Sequence, residues 1–267
     1  MAPVERGEAL HQHVNYTEII AILFLLFVAL VPIALTLNCI FRKPLSPLQW
    51  IFYGVAVLLV KVLWRAKLPT SFPIPDSQGA VIICNHRSSI DTCFVQVVAG
   101  PRLIHWMVAQ LYGEKTFIGW FLKQCEMIPV RRRGNNTSAA RAAIKLAQRG
   151  ELVGMLPEGT INTTDKFMKG VRPGAVHVAL KAGVPIVPCY IEGSPYHEVL
   201  WRPIFISAPT RVVVGQPIDL TEFHGSEQDE RVVQRITKMC VKEIANLAGE
   251  DDFEPELVGR DWKSWQS

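Results

Sequence analysis

Several signatures are missing from this chain of 267 residues, and each absence removes a class of function. There is no Gly-x-Ser-x-Gly segment, so the nucleophile elbow of a soluble α/β-hydrolase is excluded. The six cysteines are dispersed and form no zinc-finger spacing. Four of them, Cys39, Cys84, Cys93 and Cys189, sit in apolar surroundings and read as small buried hydrophobes in a reducing compartment. His11, His13, His197 and His224 make no metal-ligand pattern, and no catalytic metal is expected. His105 and His177 lie among apolar residues and read as satisfied structural histidines. Net charge is only +4, with no positively charged repeat. Such a chain suits an anionic surface or ligand rather than nucleic acid. Internal repeats and low-complexity blocks are absent too.

Acidic residues are missing from residues 42–67, where Arg42, Lys43, Lys61, Arg65 and Lys67 stand. Just before this stretch, residues 19–41 are 23 uncharged residues, long enough as a helix to cross a hydrocarbon core of about 30 Å. Pro32 is tolerable there. Glu5, Glu8 and Glu18 before the run, and the lack of a clean cleavage site after it, fit a signal peptide poorly. A second apolar stretch, 48–60, is short for a span and suits a re-entrant or interfacial helix, with Trp50, Tyr53 and Trp64 at headgroup level. A spanning segment and an in-plane pair of helices both fit. The basic flank places the remainder on the cytoplasmic side of the cell membrane.

Beyond a proline-rich entry at 69–77, strand-like and helix-like pieces alternate. Strands are expected at 80–84, 103–107, 126–130, 152–156, 185–191 and 211–214. Helices are expected at 89–99, 117–123, 139–148, 173–182 and 229–247. The alternation predicts an α/β fold with a mostly parallel central sheet flanked by helices, preceded by an N-terminal membrane-anchoring helical segment. Expected boundaries are an anchor at 1–68, the α/β domain at 69–249 and a polar tail at 250–267, whose Trp262 and Trp265 could touch a membrane.

Four polar clusters follow or adjoin the strand-like runs, and loops of this kind converge on one sheet edge. The first is Asn85-His86-Arg87-Ser88-Ser89-Ile90-Asp91. Its residues fit two readings equally: a histidine base steadied by a carboxylate, or a capped turn beside a surface histidine. The second ends in Arg131-Arg132-Arg133-Gly134, whose guanidinium forks match phosphate oxygens. The third is Leu156-Pro157-Glu158-Gly159-Thr160 and the fourth Val184-Pro185-Ile186-Val187-Pro188.

Together, in this order and spacing, the four clusters resemble the motifs of the glycerolipid acyltransferase family, best known for its 1-acyl-sn-glycerol-3-phosphate acyltransferases. The resemblance spans roughly residues 80–215. It implies that His86 deprotonates an acceptor hydroxyl, with Asp91 orienting the imidazole. The hydroxyl then attacks an acyl thioester, on coenzyme A or acyl carrier protein, as substrate rather than bound cofactor. Arg131, Arg132 and Arg133 would take phosphate, Arg132 being the motif arginine. Glu158, Gly159 and Thr160 would bind the acceptor, with Glu158 receiving a glycerol hydroxyl, capping a helix or pairing with an arginine. Ser88 and Ser89 read as local caps, and Cys84 and Cys93 as covalent rivals to direct attack. Pro185 and Pro188 would shape the pocket wall, and residues 106–111 and 118–122 an acyl groove.

One departure stands out. The family often has Arg-Ser after the threonine, whereas this chain has Ile161-Asn162. Lys166, Lys169 or Arg172 could replace that arginine, or the acceptor differs from lysophosphatidate: glycerol-3-phosphate, or another lyso-lipid such as a lyso-aminolipid. Partners implied are lyso-lipid, acyl thioester, bilayer and acyl carrier protein. An inactive membrane-tethered lipid-binding protein is the rival of another class, and its mark would be loss of His86 or Asp91.

Overall fold

The computed structural model describes residues 45–112, 116–131 and 137–259. The apolar run 19–41, Arg132, Arg133, Trp262 and Trp265 lie outside them. The described residues all fall within one compact unit.

The elements are α1 (Pro47–Leu58), β1 (Ala80–Cys84), α2 (Asp91–Val98), β2 (Ile104–Ala109), α3 (Thr116–Gln124), β3 (Ile128–Val130), α4 (Thr137–Gln148), β4 (Leu152–Met155), α5 (Gly174–Ala182), β5 (Ile186–Glu192), β6 (Arg211–Val214) and α6 (Glu230–Ala248). Six strands form a sheet in the order β3-β2-β4-β1-β5-β6. All pairings are parallel except β5 with β6. The α/β reading of the sequence therefore holds.

β1 is central and buried along its whole length, so it reads as an unbroken apolar run, as a strand covered on both faces must. Side chains alternate. Val81 and Ile83 join a core with α4, α5 and α6, while Ala80, Ile82 and Cys84 join a second core with α2, Trp64 and Trp106. Gly154 on β4 lies under Trp106, where a Cβ would collide with the indole. α5 stops at Gly183 and α6 at Gly249, both in the left-handed region as C-terminal glycines of helices commonly are.

Residues 45–68 differ from a free interfacial helix. Ser46 and Gln49 form a capping box that starts α1. The Gln49 amide then donates to the Gln124 carbonyl at 2.8 Å and to Glu126 at 3.2 Å. A π-helical turn, Leu59–Leu63, follows. Trp64 corrects its expected place at headgroup level: it is fully buried against Phe94, and its indole donates to the Ile206 carbonyl at 3.0 Å. Among the described residues no helix is long and apolar enough to cross a membrane.

The tail also packs further than its polar composition suggests. Leu257 bridges Val171, and Phe253 meets Phe167 with ring centres 5.1 Å apart.

Candidate active site

Parallel strands bring their carboxyl ends to one edge, and the loops that follow meet there. Residue 85 follows β1, residue 156 follows β4 and residue 193 follows β5. β4 and β5 are the two neighbours of β1. The loops after them therefore flank the His86 loop on either side.

Asn85 opens that loop as a connector. Its amide donates to the Ile191 carbonyl at 2.9 Å and its oxygen accepts the Ile191 N–H at 2.8 Å. It thus continues the β1–β5 pairing past the end of the strand. His86 follows, its side chain 15% exposed. Its Nδ1 lies 3.0 Å from Oδ2 of Asp91, which is fully buried. The same oxygen accepts the backbone N–H of Arg87 and of Ser88, both at 2.7 Å. Three donors therefore converge on Oδ2, while Oδ1 is buried with no partner among the described residues. The capped turn and the histidine–carboxylate pair, alternatives in the sequence, are one structure: Asp91 does both.

With Nδ1–H committed to the carboxylate, the ring's Nε2 carries the lone pair. This is the tautomer a general base needs, held by the group that would stabilise the imidazolium.

Glu158 reaches the same loop from β4. It is fully buried. Oε1 accepts the His86 N–H and Oε2 the Lys169 N–H, each at 2.8 Å. Burial pushes its carboxyl above the ordinary value, against the pull of the two backbone N–H groups and of nearby His86 and Arg87. Each oxygen is thus already engaged, and the side chain positions the His86 backbone. Gly159 closes a turn in which its N–H meets the Leu156 carbonyl at 2.9 Å, and its φ of 66° is why glycine stands there. Thr160 is half-buried beside it.

Arg87 and Asn162 are site residues that the sequence reading missed. The Arg87 guanidinium donates to the carbonyls of Thr164 at 2.6 Å and Lys166 at 2.8 Å. The Asn162 N–H meets the His86 carbonyl at 2.7 Å, and its side-chain oxygen accepts from Thr164. These bonds fasten the loop after β4 onto the His86 loop. Apart from the local Asn162–Thr164 turn, their partners are more than 70 residues apart in the chain, so no local pattern announces them. Ser88 and Ser89, expected as local caps, do more than that: Ser88 Oγ accepts the Ile90 N–H at 3.4 Å, and both hydroxyls donate across the site. Ser88 donates to the Pro195 carbonyl at 2.5 Å and Ser89 to the Leu200 carbonyl at 2.6 Å. Both tie the site to the loop after β5.

Arg131 emerges from edge strand β3, with β2 and β4 between it and β1. At a strand spacing near 4.8 Å that separation is about 14 Å. Its Nε donates to Gln110 at 3.1 Å and it is exposed. Of the proposed substitutes for the missing arginine, Lys169 donates from Nζ to the Ile161 carbonyl at 2.8 Å, and exposed Lys166 pairs with Glu256 at 3.7 Å.

The thiols are poor nucleophiles. Burial, then Cys189, Asp91 and Glu158, raises Cys84 well above the ordinary thiol range. Burial and the Asp91 charge push Cys93 up to about 11. Among the described residues, no group of three His, Cys, Asp or Glu could hold a metal. His105 is buried with Nδ1 3.1 Å from the Glu126 carbonyl.

Among the described residues, cavities lie on either side of the sheet. An apolar one of about 70 Å³ lies between α1 and α2, lined by Phe52, Tyr53, Cys93, Trp106 and Phe121 among others. A roomier cleft of about 310 Å³ lies at the amino ends of β1 and β5, lined by Gln78, Pro185, Asp219 and His224. It is at the opposite pole from His86 and shares none of its residues.

Comparison with known proteins agrees with this geometry. Residues 66–192 match the Acyltransferase family model. A 1-acyl-sn-glycerol-3-phosphate acyltransferase of Bacillus subtilis is 29% identical over 175 residues, 65% of this chain and 84% of that protein. The human 1-acyl-sn-glycerol-3-phosphate acyltransferase alpha is 30% identical over 146 residues, 53% of this chain and 50% of the human one. In fold, the chain resembles the crystal structure of the 1-acyl-sn-glycerophosphate acyltransferase PlsC from Thermotoga maritima, with a TM-score of 0.56 and 18% identity over 88% of this chain and 96% of that one. Over residues 66–192 the chain is thus similar to the acyltransferases; of the four clusters, the His86 and Glu158 loops meet at one sheet edge, while Arg131 follows edge strand β3 and Pro185, expected on the pocket wall, lies at the opposite pole.

Proposed function

We propose that this acyltransferase moves a fatty acyl chain from a thioester, on coenzyme A or acyl carrier protein, to the free hydroxyl of 1-acyl-sn-glycerol-3-phosphate, giving phosphatidic acid. The observation that carries the chemistry is the 3.0 Å contact between His86 Nδ1 and fully buried Asp91. Nε2 takes the hydroxyl proton as the oxygen attacks the thioester carbonyl. The tetrahedral intermediate collapses by expelling the thiolate, which takes up a proton, and the acyl ester is released. Asp91 holds the ring and offsets the imidazolium charge. No enzyme nucleophile is required, in keeping with the raised thiols of Cys84 and Cys93. Acceptor phosphate is assigned to Arg131, Arg132 and Arg133. Glu158, Gly159 and Thr160 form the acceptor-side loop, with Glu158 acting through the His86 backbone.

The lipid substrates and the basic flank at residues 42–67 support a place at the cytoplasmic face of the cell membrane, with the N-terminal apolar segments as anchor. The small cavity beside α2 suits an acyl chain by its lining. At about 70 Å³ it must widen, since sites for drug-sized ligands run from about 300 to 1,000 Å³.

One observation favours a second acceptor. Ile161 stands where the family often has arginine, and Lys169 is turned to the Ile161 carbonyl. This fits glycerol-3-phosphate or a lyso-lipid with a different headgroup. Detergent-purified protein with labelled acyl-CoA and acyl-carrier protein, against a panel of acceptors, tests both readings. Transfer to lysophosphatidate supports the first. Transfer only to another acceptor moves the assignment, and transfer to no lipid acceptor ends it.

A further inference from the structure

A group of exposed apolar side chains lies beside the active-site loops and is not used by the reaction. On α1 and the turn after it, Ile51, Val55, Leu58 and Val62 are each at least half exposed. Their spacing of four, three and four places them along one side of a helix. A second part lies about 140 residues further on, where Trp201 is 56% and Phe205 73% exposed, their rings edge-to-face at 6.0 Å. Tertiary bonds bring the two parts together. Trp64 donates to the Ile206 carbonyl, and Ser207 to the Leu63 carbonyl at 3.0 Å. Val62 and Phe205 are therefore each within two residues of that junction. Ile204 beside Phe205 packs into the core, which fixes the short 3₁₀ turn Arg202–Phe205 in place.

The charges around this surface are mostly cationic, with Glu198 the exposed acid nearest Trp201 in the chain. Lys61, Arg65, Lys67 and Arg202 are exposed, and residues 45–75 contain no Asp or Glu. Apolar and aromatic side chains rimmed by cations fit an anionic bilayer surface, with rings at headgroup depth and cations on lipid phosphates. The segment 194–200 then runs from this surface to the site, where Ser88 holds the Pro195 carbonyl and Ser89 the Leu200 carbonyl.

We propose that Trp201 and Phe205 seat in an anionic bilayer beside the outer row of α1, and that this seating steadies the His86 loop through Pro195 and Leu200. The proposal rests on the lipid-substrate reading above and adds to it a second membrane contact, coupled to the catalytic loop.

Full-length protein reconstituted into phosphatidylcholine–phosphatidylglycerol vesicles, with and without dibromo-phosphatidylcholine, tests the seating. Wild type should lose a bromine-quenched component that Trp201→Phe lacks, so the quenched fraction falls in the variant. An unchanged or higher fraction puts Trp201 in water and overturns the proposal. The coupling is read in the double variant Trp201→Ser, Phe205→Ser. Acyl transfer in vesicles should fall about tenfold, and transfer to a short-chain, water-dispersed acceptor should stay within twofold. Equal loss in both formats, or none in either, overturns the coupling. Wild type inactive in both formats would instead refute the acyltransfer reading, while the quenching result still decides the seating.

Discussion

Two carboxylates, Asp91 and Glu158, reach His86 at different atoms, and both are fully buried. Asp91 meets the ring. Glu158 meets the backbone N–H of the same residue. Asp91 gathers three donors on one oxygen and leaves the other bare. Glu158 spreads two backbone donors over both of its oxygens. Burial alone therefore does not distinguish a group that takes part in chemistry from one that holds the frame; the identity of the donor does. A carboxylate on an imidazole changes what the ring can do, whereas one on two amides joins two loops.

The comparison can be broken in order of expected effect. His86→Ala removes the base and should lower acyl transfer by about a thousandfold, within the range for general-base loss, with circular dichroism unchanged. An active variant would end the assignment. Asp91→Asn is the sharper probe. Its amide oxygen can occupy the Oδ2 position and keep all three donors, and its NH₂ can take the bare Oδ1 position. Turnover should fall by about a hundredfold, and the urea midpoint should drop by the equivalent of about 1–3 kcal/mol, because the NH₂ is buried there with no acceptor among the described residues.

Glu158→Gln should cost a similar amount of stability but less turnover. Glutamine has one acceptor oxygen for two backbone N–H groups, so one donor is left unmet at a cost of about 1–3 kcal/mol. Turnover should fall only about tenfold, through a displaced His86. The pH dependence has a definite sign. The folded-state carboxyl is raised above its unfolded value. It therefore contributes stability below the unfolded value and loses it as pH rises through the folded one. The stability gap between wild type and Glu158→Gln should narrow over that rise, as read by urea unfolding at several pH values. A gap that widened would contradict the burial of this carboxyl.

Gly159→Ala forces a Cβ into the left-handed region at φ 66° and should cost about 1–2 kcal/mol in thermal or urea unfolding. Smallest of all, Cys93→Ser should leave initial rates within about twofold, since a thiol raised to about 11 carries little thiolate at neutral pH. A large loss there would revive the covalent route.

Much of the α/β fold was legible because its strands are short buried runs and its helices carry ordinary stop signals. The expected strands at 80–84 and 211–214 match β1 and β6 residue for residue. Helix starts were less legible. Ser88 accepts the Ile90 N–H locally, but both expected capping serines also donate to the loop after β5, and α2 begins at Asp91 with no side-chain cap. Trp64 was misplaced because a tryptophan beside basic residues looks interfacial until a distant carbonyl takes its N–H.

The types and spacing of the chemical groups were therefore in the sequence: a histidine with a carboxylate five residues on, an arginine run, a Pro-Glu-Gly-Thr turn. Local backbone geometry determines those, because loop and turn contacts span only a few residues. Tertiary structure alone decided how the groups are used. It put Glu158 on the His86 backbone, turned Arg87 onto the carbonyls of Thr164 and Lys166, and joined Trp64 to Ile206. Each of those contacts closes a loop of more than 70 residues through the stacking of β4, β1 and β5, which no local window of the sequence contains.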